Sequence, residues 1–292
     1  MLMFSIGVGV YRTTHGPRLR GASVAQAEPP HDMQPAPQTT RGDRISFSDL
    51  LTEAESLRYN GYLIVTRYKK VDDEWLREEQ GYAALVWHGK TIQSFDGRAY
   101  HAWGNITLFG LFSFLGTAEQ QVAISQDIHR GGAQWIVDLS SEPSVIFDSV
   151  EWGTGRESDH CEVEDMDGDG IFEISLPITD FYALMDKMSM SEIPEPMITF
   201  KYDKGKKKYF PVNHVLPHPN RIATPDLRNT SNELYIRSVV LDHLLDLVYQ
   251  GEREEAWRYF DRTYNLDDKS EIEQRVKRIL KDQPVYKYIY KQ

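Results

Sequence analysis

From Gly61 onward, apolar and polar positions alternate in short runs, a pattern typical of β-strands that cover one face. These runs are rich in β-branched and aromatic residues, and Gly, Asp or Ser separates most of them. The pattern predicts strands over 62–68, 82–87, 91–95, 121–124, 135–139, 145–147, 160–164, 172–178, 197–202 and 209–212. The apolar run over 106–115 is about half the length of a membrane span, so we expect a buried core element there.

Helical spacing of apolar residues appears at both ends of this β-rich region. A short helix is predicted over 47–57, and the spacing becomes helical again beyond Pro225. We expect one helix over 233–250 that ends before Gly251, a second around Ala256 and Phe260, and a third that Pro284 closes. The predicted fold class is therefore α+β: a mainly antiparallel β domain, propeller-fragment-like or a sandwich, followed by a small C-terminal helical subdomain.

The same patterns divide the chain into three regions. Residues 1–44 are predicted to be a disordered N-terminal tail, because four prolines between positions 29 and 37 break any regular element. Its apolar first ten residues and the small-x-small site at Ala25–Ala27 make it a candidate export signal. Residues 45–220 form the β-rich domain and residues 221–292 the helical subdomain. A periplasmic or extracellular location is the expectation, with a cytoplasmic one as the alternative.

The net charge limits the classes of partner that we expect, and the cysteine count limits disulfide bonding. The formal net charge is −11, from 44 acidic and 33 basic residues, and such a chain repels phosphate backbones. We therefore expect no nucleic-acid partner, and we expect no transmembrane segment; a protein or a carbohydrate remains a candidate partner. The one cysteine, Cys161, cannot form an intramolecular disulfide, and its strand-like surroundings predict a buried, inert thiol.

One segment carries a recognisable chemistry. Asp165, Asp167 and Asp169 alternate, Gly170 allows a sharp bend, and Glu173 is the ninth residue counted from Asp165. Calcium takes six to eight hard oxygen ligands, and carboxylates at alternate positions of a tight turn can converge on one ion. The backbone carbonyl of Ile171 and the carboxylate of Glu173 would complete most of the shell. The sequence therefore predicts one calcium ion, in a structural role, bound by Asp165, Asp167, Asp169, Ile171 and Glu173.

The segment differs from an EF-hand loop. That loop needs a bidentate glutamate at position twelve, where this chain has Leu176. The residues that follow alternate with period two from Phe172 to Ile178, which predicts a strand where an EF-hand has a helix. We therefore expect the ion at the tip of a β-hairpin.

These residues resemble the calcium loops of FG-GAP and VCBS repeat proteins and of integrin-type β-propellers. The resemblance covers about 15 residues and implies ligands at Asp165, Asp167, Asp169, the carbonyl of Ile171 and Glu173. It departs from those families because the loop occurs once and no Gly-Ala-Pro sequence follows it. The overall layout also resembles exported bacterial proteins of unassigned function that carry one such loop before a helical tail.

No other motif competes with this loop. We interpret the polar and aromatic residues near His101 as surface residues at the end of a strand rather than as a cleft. We interpret the segment 129–132 as an ordinary loop rather than as an anion-binding turn. His214 and His218 have helical spacing for zinc, but Pro217 disfavours that helix. The predicted function is accordingly a calcium-binding, non-enzymatic binding or structural protein. The alternatives are a hydrolase-like enzyme whose site is not visible in the sequence, and a helical scaffold for a protein partner.

Overall fold

The computed structural model of the chain describes residues 44–70, 79–96, 106–128, 131–190, 193–213, 215 and 232–291. Residues 1–43 of the predicted 1–44 tail, with the candidate export signal, lie outside these ranges. No helix within them is long and apolar enough to cross a membrane.

Within the described ranges, fourteen strands form three antiparallel sheets. The strands are β1 (Ile45–Ser46), β2 (Thr52–Glu53), β3 (Ser56–Tyr59), β4 (Tyr62–Lys70), β5 (Glu79–Trp87), β6 (Lys90–Phe95), β7 (Ile106–Phe112), β8 (Gln121–Ile128), β9 (Gly131–Asp138), β10 (Ser144–Asp148), β11 (Glu162–Glu164), β12 (Glu173–Pro177), β13 (Met197–Asp203) and β14 (Lys208–Pro211). Four consecutive strands make up each sheet: β3–β6 the first, β7–β10 the second and β11–β14 the third. β2 joins the edge of the second sheet beside β7, and β1 joins the third beside β11.

The second sheet lies between the other two and buries both of its faces. Ala123 and Ile136 belong to a core shared with the third sheet, whereas their neighbours Val122, Ile124 and Trp135 belong to a core shared with the first. Burial on both faces explains the nearly continuous apolar sequence of β7. Three antiparallel sheets followed by a helical region confirm the predicted α+β class, and the number of sheets differs from that of a two-sheet sandwich.

The helix predicted over 47–57 is wrong beyond its first turn. A 3-10 turn at Phe47–Leu50 is followed at once by β2 and β3, which pair with β7 and β4. The apolar spacing was real, because Phe47 and Leu50 are both buried, but the backbone N–H of Phe47 donates to the carbonyl oxygen of Cys161 at 2.7 Å. Pairing with distant strands therefore overrides the local helical pattern.

The C-terminal region holds four helices in its described part, α1 (Glu233–Tyr249), α2 (Arg253–Thr263), α3 (Lys269–Asp282) and α4 (Pro284–Tyr290). α1 begins at the cap residue Asn232, and Gly251 follows its end with φ 86°, as predicted for a C′ glycine. The fourth helix was not predicted, because Pro284 was interpreted only as a terminator. Proline also fits the first turn of a helix, where it starts α4 while the side chain of Gln283 accepts a hydrogen bond from the Tyr286 N–H at 3.1 Å.

The helices share a hydrophobic core with the third sheet. Leu241, Leu244 and Val276 from the helices share one core with Leu176 and Phe200 from β12 and β13. Strand β12 is buried along its whole length. The residues at the start of β12 are therefore held firmly, and they include the end of the predicted calcium loop.

Candidate metal centre

The loop from Asp165 to Phe172 joins β11 to β12 in the third sheet. The two strands are antiparallel, and Glu164 pairs with Glu173 at the base of the loop. Strands on both sides agree with the sequence prediction of a hairpin and with the exclusion of an EF-hand. The loop is thus a hairpin connection whose last predicted ligand, Glu173, is the first residue of β12.

The loop is shaped by hydrogen bonds from its own backbone to its aspartates. Such bonds turn the chain locally, which brings residues at alternate positions to one side. The four bonds run from the N–H groups of Gly168 and Gly170 to Asp165 at 2.8 and 3.2 Å, from Asp169 to Asp167 at 3.3 Å, and from Ile171 to Asp169 at 2.8 Å. Both glycines have positive φ, 75° and 84°, a conformation that residues with a side chain rarely adopt.

Three of the predicted ligands converge. Asp165, Asp167 and Glu173 each offer a carboxylate oxygen, and these oxygens lie within 4.8 Å of one another. Two oxygens bound to one calcium ion at 2.3–2.6 Å are separated by no more than about 5 Å. The three carboxylates can therefore bind the same ion.

Glu173 lies at the buried end of this cluster. Its side chain is 0% exposed, whereas that of Asp167 is 34% exposed. Burial is the largest influence on its pKa, which is raised above the ordinary value for glutamate. One oxygen, Oε2, accepts a hydrogen bond from the Met166 N–H at 2.8 Å, and the other faces the cluster. A buried carboxylate is costly unless a cation balances it, so this position favours a positive charge in the loop.

That positive charge is present as the ammonium of Lys201 on β13. Its Nζ lies 2.9 Å from Oδ2 of Asp169 and 3.2 Å from Oε1 of Glu173, and it also donates to Oδ2 of Asp167. Partial burial lowers the pKa of Lys201, but the hydrogen bonds to the carboxylates outweigh it and the pKa is raised. For Asp169, burial alone would raise the pKa, yet the Lys201 hydrogen bond and its other partners lower it.

The two remaining predicted ligands are placed differently. Asp169 lies beside the Lys201 ammonium rather than within the converging trio. Ile171 has a buried side chain, and its N–H is bonded to Asp169, while a ligand role for its carbonyl stays a prediction. Lys201 was not predicted, because its position beside Glu173 depends on the register of β12 and β13, in which Ile174 pairs with Phe200. No local pattern in the sequence indicates that register.

The loop is also attached to the neighbouring sheets. The N–H of Phe172 donates to the Phe114 carbonyl at 2.9 Å, in the connection between β7 and β8. The Phe172 carbonyl accepts from the hydroxyl of Tyr209, a buried residue of β14, at 3.0 Å. Order in the loop is therefore coupled to the packing of the second sheet on the third.

A second cluster of charged side chains lies elsewhere in the described structure. Glu195 accepts a hydrogen bond from the Tyr182 hydroxyl at 2.5 Å and forms an ion pair with Arg156. The pKa of Asp242 on α1 is raised to about 6, mainly by burial and in part by the charge of Glu195. Arginine and tyrosine already satisfy Glu195, so this cluster acts as a polar link in the packing.

Of the other residues singled out in the sequence, Cys161 is buried and the rest lie outside the described residues. Cys161 is buried as predicted, and burial raises the pKa of its thiol. Arg98, His101, Trp103, His129, Arg130, His214 and His218 all lie outside the described residues.

Comparisons with protein-family models, with curated proteins and with solved structures found no match for this chain. The resemblance of the loop to FG-GAP and VCBS calcium loops therefore stays a prediction.

Proposed function

We propose that this is a calcium-binding protein in which one ion, held by the loop of Asp165–Glu173, stabilises the β11–β12 hairpin. The observation that carries the proposal is the convergence of Asp165, Asp167 and Glu173 within 4.8 Å, with the third carboxylate fully buried. A cation balances the buried carboxylate of Glu173: the Lys201 ammonium does so in this structure, and a calcium ion bound by the same carboxylates would do so as well.

The donor set favours calcium over the other common ions. The converging ligands are carboxylates, whereas zinc sites in proteins are built mainly from histidine and cysteine. Magnesium demands a nearly ideal octahedron and retains several waters, while calcium accepts irregular sets of oxygens. A short loop with carboxylates on one side and solvent on the other suits the more adaptable ion.

A structural role is supported by the attachments of the loop. Its end is bonded to Phe114 in the connection between β7 and β8 and to Tyr209 in β14, so an ion that orders the loop also reinforces the contact between the second and third sheets. The proposal extends to a non-enzymatic binding or structural protein outside the cytoplasm, where calcium is abundant.

Isothermal titration of the full chain with calcium tests the proposal. We expect one site in the native protein and none in a variant carrying Asp165→Asn and Asp167→Asn, which keeps an oxygen acceptor at each position. The control variant carries Glu142→Gln and Asp159→Asn, which remove the same charge at exposed positions outside the loop. Loss of binding in the control as well as in the loop variant, or no binding in the native protein, would overturn the proposal.

A further inference from the structure

The ammonium of Lys201 lies among the oxygens that the proposed calcium ion would use. Lys201 contacts Asp167 and Glu173, which are two of the three converging carboxylates, and it also contacts Asp169. Its side chain is 24% exposed, so Lys201 is partly buried beside the loop.

One set of carboxylates cannot hold both cations at the same time. A calcium ion bound to Asp167 and Glu173 would lie within about 2.6 Å of their oxygens. The Lys201 ammonium lies beside the same two carboxylates, since it donates to Oδ2 of Asp167 and is 3.2 Å from Oε1 of Glu173. Like charges at such a distance repel strongly in a partly buried site. Calcium therefore has to displace the ammonium from these oxygens before it can bind.

We propose that Lys201 is the affinity-setting residue of this site: its ammonium holds the carboxylates together without calcium, and calcium binds in competition with it. The inference rests on the proposed calcium site. A competitor that occupies the site for most of the time lowers the apparent affinity by the fraction of time for which the site is open. The loop is therefore ordered in both states, and calcium replaces one counter-ion by another of higher charge.

The solvent-exposed side of the cluster leaves room for the displaced Lys201 side chain. Asp167 and Asp169 are 34% and 36% exposed, on the solvent side of the buried Glu173. A lysine stem can swing toward water through rotation about its own bonds and leave the backbone of β13 in place. Exchange between the two cations thus needs only side-chain movement.

The test compares Lys201→Met with Lys204→Met in the full chain. Methionine keeps an apolar stem and removes the ammonium in both variants. Lys204 is exposed in the turn after β13 and acts on Asp169 only through its charge, so it is a matched control. Calcium affinity is measured by isothermal titration, and thermal stability is measured in chelator. Lys201→Gln serves as a second variant in case methionine perturbs folding.

We expect Lys201→Met to bind calcium at least about tenfold more tightly than the native chain, as release of a competitor requires. Lys204→Met should change the affinity much less. In chelator, Lys201→Met should melt below the native protein, because three carboxylates lose their shared counter-ion, while Lys204→Met should not.

The remaining outcomes separate this inference from the proposed function. Equal affinities for the native chain, Lys201→Met and Lys204→Met would overturn the role of Lys201 and leave the calcium site standing. Binding only after Lys201 is replaced would support competition by its ammonium, but it would overturn calcium binding as a function of the native chain. Absence of binding in the native chain and in both Lys201 variants would overturn the calcium site itself. The variants have no ammonium at position 201, so competition could not account for the missing binding.

Discussion

The carbonyl oxygen of Gly170 lies directly against the backbone of Gly116. A Cβ atom on Gly116 would be 2.0 Å from that oxygen and 2.8 Å from its carbon, and Gly116 has φ 64°. Gly116 belongs to the connection between β7 and β8, and Gly170 belongs to the candidate calcium loop. The loop therefore rests on the second sheet through a backbone contact that only glycine at position 116 allows.

Replacement of Gly116 by alanine should destabilise the protein by about 2–4 kcal/mol. About 1 kcal/mol arises from the left-handed backbone conformation, and the rest arises because the loop must move away from the new methyl group. Urea denaturation at constant pH measures the change in the free energy of unfolding.

Gly89→Ala provides the matched control for this experiment. Gly89 has φ 76° in the turn between β5 and β6, but a Cβ there meets nothing within 4 Å. Gly89→Ala should therefore lower the free energy of unfolding only by the conformational part, about 1 kcal/mol. Equal losses at the two positions would contradict the contact between Gly116 and the loop.

Asp242 gives a prediction about pH. Burial raises the pKa of this carboxyl to about 6, and the charge of Glu195 acts in the same direction, while a hydrogen bond with Ser238 opposes them. The folded state therefore holds the proton more tightly than the unfolded state, whose pKa is near 3.8. Ionisation in the folded state costs stability, and that cost grows as the pH rises from about 4 to about 6 and is constant above.

Asp242→Asn should consequently be more stable than the native chain by about 1–2 kcal/mol at pH 7.5, after allowance for partial solvent screening. The difference should shrink as the pH falls below 4 and become small near pH 3, where the carboxyl is largely protonated in both states of the native protein. Paired urea denaturation curves at the two pH values check this, because the other carboxyl groups cancel in the comparison. A variant that is less stable than the native chain at pH 7.5 would show that Asp242 forms an interaction that needs its charge.

Cys161 should be unreactive in the folded protein. Its side chain is fully buried in the core of the third sheet, and burial raises the pKa of its thiol, so little thiolate is present and no reagent reaches it. We expect no labelling by a thiol-specific reagent under native conditions at pH 8 and complete labelling in denaturant. Since the chain has one cysteine, the stoichiometry is unambiguous, and full labelling of the native protein would contradict the packing around β11.

The parts of the fold and site that depend on local sequence could be predicted. The alternation of Asp165, Asp167 and Asp169 with glycines produces hydrogen bonds within the loop itself, so the turn follows from a few adjacent residues. Most strands and the first three helices follow in the same way from periodicity, because period two and period 3.6 are both visible in short windows.

The parts that depend on contacts between distant segments could not be predicted. Lys201 reaches Asp167 across 34 positions only because β13 pairs with β12. β1 likewise pairs with β11 through Ile45 and Val163, which no local pattern encodes. The short helix predicted after position 47 failed for the same reason, since those residues bond to β7 and β4 instead.

The most direct test of the central claim is a thermal melt of the native chain in millimolar calcium, in millimolar magnesium and in chelator. The Asp165→Asn, Asp167→Asn variant and the Glu142→Gln, Asp159→Asn control are measured alongside. A ligand that binds only the folded state raises the melting temperature, and we expect a rise of about 2–5 °C with calcium in the native and control proteins. Magnesium should have a smaller effect, and the loop variant should not respond to calcium. Identical melts of the native chain in calcium and in chelator, or the same rise in the loop variant, would contradict a calcium site at Asp165–Glu173.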